Sequence, residues 1–170
     1  GTSSGTWTRP FVDLTPYAGQ TVQLAFRFVS DGSGFSLSRG WYIDDVTVVT
    51  GPIQINDSDD PMQVTWESGL GDWYVDAGTW EVGSPTVGPD ACHEGSNCAA
   101  TRLDGNYEAG IDSRLTSPSF TVAPAEENPR LRFWHWFSFS SGDRGEVQIK
   151  PDGGDWETVW SELGGLVEDI

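Results

Sequence analysis

Alternation dominates the pattern of this chain. In TVQLAFRFV the apolar Val22, Leu24, Phe26 and Phe28 share one face and Gln23 and Arg27 take the other, the period-two signature of a half-buried strand. Short runs rich in Val, Phe and Trp recur near 7–14, 20–29, 41–49, 62–67, 79–82, 114–122, 130–140, 144–150 and 156–160, separated by Gly, Pro, Asp and Ser. The spacing predicts strands throughout, almost no helix, and an all-β sandwich. In KPDGGDWETV, Asp152-Gly153-Gly154 supplies a hairpin turn and Trp156 begins the returning strand.

Two stretches depart from simple alternation. In WYIDDVTVV the apolar Ile43 and Val46 lie three apart, so strict alternation cannot bury both, and a bulge at Asp44-Asp45 is the simplest repair. On a regular strand those neighbouring carboxylates point to opposite faces, which argues against paired acid-base work. In LRFWHWFSF both faces are apolar: Phe133, His135 and Phe137 on one, Trp134 and Trp136 on the other. A sandwich strand normally has one wet face. Either loops cover Trp134 and Trp136, or a partner does, such as a sugar ring stacked on indole or a neighbouring copy of the domain.

Composition narrows the function classes. The 170 residues carry 26 acidic against 9 basic side chains, a net charge of -17, which repels nucleic acid and anionic membrane surfaces. No apolar run approaches the ~20 residues of a membrane span. Such acidity fits a solvated extracellular protein or a binder of divalent cations. Nine Trp and eight Phe against one Met supply rigid bulk for a core or a binding face. Cys92 and Cys98, in DACHEGSNC, can staple a small loop, which implies an oxidising compartment. A zinc site needs more soft ligands than His93 and His135 provide.

No catalytic constellation emerges. GTSSG matches a nucleophile-elbow pattern around Ser3, yet a strand follows it where the elbow requires a helix. Neither histidine sits in H-E-x-x-H. The protein reads as a non-enzyme. Asn56 opens an N-D-S acceptor pattern for glycosylation.

Six stretches together, WESGLGDW, DGNYEAGIDSRLTSPSF, LRFWHWFSF, PDGGDWETV, DLTPYAGQTVQLAFRF and GWYIDDVTV, resemble the MAM-like jelly-roll domains of secreted bacterial proteins, including those appended to immune-inhibitor-A-type metallopeptidases. The resemblance covers nearly the whole chain and implies a jelly-roll β-sandwich of two antiparallel sheets. It also implies an order. In the family the W-E-S-G block comes first and GWYIDDV last, whereas here residues 1–50 correspond to the C-terminal half, 51–61 to a linker and 62–170 to the N-terminal half.

Three arrangements satisfy that order: tandem repeats in which 62–170 of one copy is completed by 1–50 of the next; separate chains lending strands to one another head to tail; or closure of both halves within one chain, joined by a linker that can reach roughly 35 Å. A half left uncompleted would expose unpaired edges.

The resemblance further implies a structural calcium ion between the first and last strands, with Glu67 of WESG and Asp45 of YIDDV as ligands and Asp90 and Asp112 as weaker candidates. The competing role for Glu67 and Asp45 is to cap turns or make a surface ion pair. The expected function is a non-enzymatic extracellular repeat that assembles head to tail into a filament, stalk or adhesin by sharing strands between neighbouring copies. The alternative is an accessory carbohydrate- or protein-binding module of a secreted bacterial hydrolase.

Overall fold

The computed structural model describes residues 1–34, 37–52 and 63–164. These residues form twelve strands: β1 (Thr2–Ser3), β2 (Phe11–Asp13), β3 (Thr21–Val29), β4 (Gly40–Val49), β5 (Tyr74–Asp76), β6 (Glu81–Gly83), β7 (Cys98–Ala100), β8 (Asp112–Thr116), β9 (Phe120–Thr121), β10 (Arg130–Phe139), β11 (Arg144–Pro151) and β12 (Glu157–Leu163). Two single 3-10 turns, Thr15–Tyr17 and Ala125–Glu127, are the helical elements described. The strands make two antiparallel six-stranded sheets. In the first, β10 pairs with β1 and β2 on one side and β4 on the other, followed by β7 and β6; in the second the order is β12-β11-β3-β8-β5, with β9 also on β3. This is the expected β-sandwich.

The inner faces follow from the alternation. Val22, Leu24, Phe26 and Phe28 of β3 meet Leu131, Phe133, Phe137 and Phe139 of β10 in one buried cluster. Trp41 of β4 lies at its centre, 5.7 Å from Phe26, 5.9 Å from Trp80 and 6.1 Å from Trp160 between ring centroids. That ring rests on β11 at Gly145, where a Cβ would come within 2.7 Å of it. A fully buried indole of this size removes more apolar surface from water than any other side chain type, and the missing side chain at 145 leaves room for it.

Several expected strands differ in extent. The run at 7–14 shrinks to β2 plus an isolated bridge from Thr8 to His135. The run at 114–122 divides into β8 and β9 around Pro118, a residue that cannot donate to a ladder. The strand expected at 62–67 is described from Gln63 onward and contributes a single bridge, Val64 to Val46. β1, β5 and β7 are two or three residues each and carry too little pattern to be found by periodicity. The bulge is present: Arg132 pairs with Thr47 and Trp134 with Asp44, so Asp45 and Val46 together oppose Phe133, and Asp45 takes the left-handed conformation at φ 49°.

Residues 1–50 and the part of 62–170 that is described meet in this one chain. β4 lies between β10 and β7, and β3 between β11 and β8, so each sheet is built around a strand from residues 1–50. Gly1 and Gly164 lie against the same stretch: a side chain on either would strike Phe139 or Ser140. At the other junction, Gly51 N–H donates to Glu127 O, and Arg130 reaches the carbonyls of Gly51 and Pro52. Asn56 and most of the 51–61 linker lie outside the described residues.

Candidate functional site

The outer face of the first sheet carries Trp134 and Trp136 and is partly roofed by the segment 84–97. Cys92 and Cys98 form a disulfide with Cα atoms 5.5 Å apart, which fixes that loop against the sheet. His93 stacks on Trp134 with centroids 3.9 Å apart and planes 12° from parallel, and the Arg9 guanidinium lies 5.9 Å from the Trp134 ring centroid. Trp136 meets Tyr42 edge to face at 5.4 Å, and the Tyr42 hydroxyl donates to Val87 O at 3.0 Å. Trp7 completes the strip, its indole N–H donating to Ala91 O at 3.2 Å. Of the two expected covers, the chain supplies its own loop over Trp134.

The acids at the bulge hold this loop. Asp44 accepts from Asp45 N–H at 2.9 Å and Glu94 N–H at 3.2 Å. Asp45 meets His93 Nδ1 at 2.6 Å and the Gln63 side-chain amide at 2.5 Å. Both carboxylates therefore reach the disulfide loop, against the expectation that they diverge. The left-handed turn at Asp45 breaks the alternation on which that expectation rests. Burial, reinforced by the neighbouring Asp45 charge, pushes the Asp44 carboxyl up to about 7. Glu67 grips the same loop from outside, one oxygen accepting from Ser96 N–H at 2.9 Å and Asn97 N–H at 2.8 Å. Gly95 permits this, since its φ is +66° and a Cβ there would come within 2.4 Å of that oxygen.

The four acids expected to bind calcium are not gathered into one cage. Asp45 and Glu67 serve the loop, Asp90 lies exposed beside it, and Asp112 is on the second sheet in a bidentate pair with Arg27 at 2.7 and 2.8 Å. Among the described residues no group of three or more His, Cys, Asp and Glu is placed to hold a metal ion. The spacing of acids along the chain does not reveal which of them the backbone amides have already claimed.

The motifs weighed for catalysis take structural places. His135 is buried, and its Nδ1 accepts the Trp41 indole N–H at 3.1 Å, so the ring is held neutral and burial lowers its pKa to about 4. Ser3 lies on β1 opposite Ser138, in a strand context with no helix after it.

The outer face of the second sheet is a charged ladder that periodicity did not single out. Arg27 sits between Asp112 and Glu146, Arg144 also pairs with Glu146, and Arg114 reaches Gln148 at 2.8 Å and Asp76. Burial alone would raise Glu146, but Arg144 and Arg27 more than offset it and leave the carboxyl below its usual range. Trp156 lies under Arg114 and Lys150, 5.6 and 6.0 Å from its ring. The signal that could have found this face is the cross-strand pairing of opposite charges, which needs the register first.

Searches of family models, curated proteins and solved structures return no match to this chain. Fold and side-chain geometry thus define an all-β sandwich with a disulfide-stapled loop across its aromatic face. Among the described residues, no helix is long and apolar enough to cross a membrane.

Proposed function

We propose that the protein is a non-enzymatic extracellular jelly-roll repeat of MAM-like type, in which residues 1–50 complete residues 62–170, and that successive copies pass this segment head to tail into a filament, stalk or adhesin. One observation carries the reading: the 1–50 segment supplies a strand from inside each sheet, so neither part has a core without the other. Closure within one chain and exchange between copies use the same registers, as in domain swapping. The meeting of Gly1 and Gly164 at Phe139 and Ser140 supports a unit in which 62–170 runs directly into 1–50. The acidic surface and the disulfide suit an extracellular setting.

Size-exclusion chromatography of two chain orders tests this. The order 62–170 followed by 1–50 is expected to fold as a monomer, and the present order to form oligomers that grow with concentration. A present-order chain that stays monomeric at every concentration overturns strand sharing. Calcium enters the proposal at Glu67 and Asp45, where it would take over carboxylates that hold the disulfide loop; a thermal midpoint unchanged by chelator removes it.

A second reading, an accessory binding module, is favoured by the aromatic strip of Trp7, Trp134 and Trp136 on one sheet face.

A further inference from the structure

This inference rests on the binding reading and not on strand sharing. A groove of about 260 Å³ opens between residues 5–7 and the disulfide loop, lined by Thr6, Trp7, Pro89, Asp90, Cys92 and Trp136 among others. Its size is slightly below that of typical ligand clefts, which suits one ring rather than an extended drug-sized molecule.

Its walls are fixed before any ligand arrives. Trp7 is tied across the groove by its indole bond to Ala91 O. Trp136 belongs to a ten-residue central strand and is propped by Tyr42. The disulfide anchors Cys92 in the lining. Side chains whose rotamers are already held lose little entropy on binding.

The polar groups are few and available. Asp90 is exposed and makes no hydrogen bond or ion pair among the described residues, and the Thr6 hydroxyl is likewise uncommitted. A carboxylate offers two acceptor oxygens side by side, a match for two adjacent hydroxyl donors. Indole faces offer apolar area to the C–H faces of a ring. Two indoles, one carboxylate and one hydroxyl therefore suit a polyhydroxylated ring with an apolar C–H face.

Charge decides the subclass. The protein carries -17, and no lysine or arginine lines the groove. An anionic sugar would meet Asp90 unopposed and pay the repulsion of the whole surface. We propose that the groove between Trp7, Trp136 and Asp90 binds a neutral pyranose unit of an extracellular glycan, its ring against the indoles and two vicinal hydroxyls donating to Asp90.

Tryptophan fluorescence and calorimetric titration with neutral gluco-, manno-, galacto- and xylo-oligosaccharides, beside acidic alginate oligomers, provide the test on the full chain. At least one neutral series is expected to bind and shift the emission, with alginate binding at least tenfold weaker. Asp90→Asn, an exposed change that leaves the fold intact, is expected to weaken binding about tenfold, and Trp136→Ala to abolish it; Trp156→Ala on the other sheet leaves it unchanged. Neutral-sugar binding that survives both Asp90→Asn and Trp136→Ala overturns the site while leaving the binding reading standing. Preferential alginate binding overturns the neutral assignment, and no binding of any of these sugars by the folded protein overturns the glycan site, while the protein-binding form of the second reading does not depend on it.

Discussion

The two outer faces of the sandwich solve the same problem in different ways. On the second sheet, outward positions pair across strands: Arg27 with Asp112 and Glu146, Arg144 with Glu146, Arg114 with Gln148 and Asp76. The face stays open to water because its groups satisfy one another. On the first sheet the outward positions Trp134 and Trp136 are apolar, and a loop, a disulfide and three acceptor carboxylate oxygens serve to cover them. A ladder of charges needs only register, whereas an aromatic face needs a lid. The lid touches Trp7 through Ala91, and between residues 89–92, Trp7 and Trp136 a groove remains.

The largest expected effect breaks the contrast between the two sides of β10. His135 faces the core with its pKa lowered to about 4 by burial. A depressed folded-state value favours the native state above the ordinary value near 6.5, and that advantage disappears as the pH falls through about 4. The loss is about 3 kcal/mol, at ~1.4 kcal/mol per pH unit of displacement. Urea denaturation at pH 7 and below pH 4 should show His135→Phe losing correspondingly less stability than the parent over that interval. Equal losses would place the acid sensitivity elsewhere.

Removing the lid's staple comes next. With a sequence separation of six, the disulfide closes a short loop, and replacing both cysteines with alanine is expected to lower stability by about 2 kcal/mol, with altered near-ultraviolet dichroism as His93 leaves Trp134. An unchanged spectrum would show that the acids alone hold the lid.

Gly95→Ala sharpens the role of Glu67. The left-handed backbone and the Cβ that would strike the Glu67 carboxylate predict a loss of about 1–2 kcal/mol. Glu67→Gln in the same background should then add little, because the contact is already broken. Full additivity in the double-mutant cycle would separate the two residues.

The smallest effect belongs to the open face. Asp112→Asn removes one partner of Arg27, but the carboxylate is 53% exposed and Glu146 remains, so a change within about 1 kcal/mol that shrinks further in high salt is expected from thermal melts. A larger, salt-independent loss would make the ladder structural in the way the lid is.

Legibility in the sequence followed the length of each element. β3, β11 and the Asp152-Gly153-Gly154 hairpin were readable because each alternates over many residues or carries turn chemistry, and β10 because it is a long run rich in Phe and Trp. β1, β5 and β7 were not, since two or three residues cannot display a period. Of the candidate site, Trp134, Trp136 and the Cys92–Cys98 link were visible by composition and spacing. The engagement of Asp44 and Glu67 with loop amides was hidden, because backbone donors leave no mark in sequence. Trp7 gave no signal, since its place in the groove depends on residues 84 positions away.

What the residues alone determined was the layer pattern: which side chains of each long strand turn inward, where alternation must break at Asp45, and the sign of the surface field. Those follow from local geometry and composition. Only the tertiary structure decided that two distant segments share each sheet, that adjacent carboxylates converge on one loop, and that one aromatic face is lidded while the other face balances its charges. Each of these depends on long-range pairing, where the energy lies in contacts between residues far apart in sequence and the local pattern is the same for several arrangements.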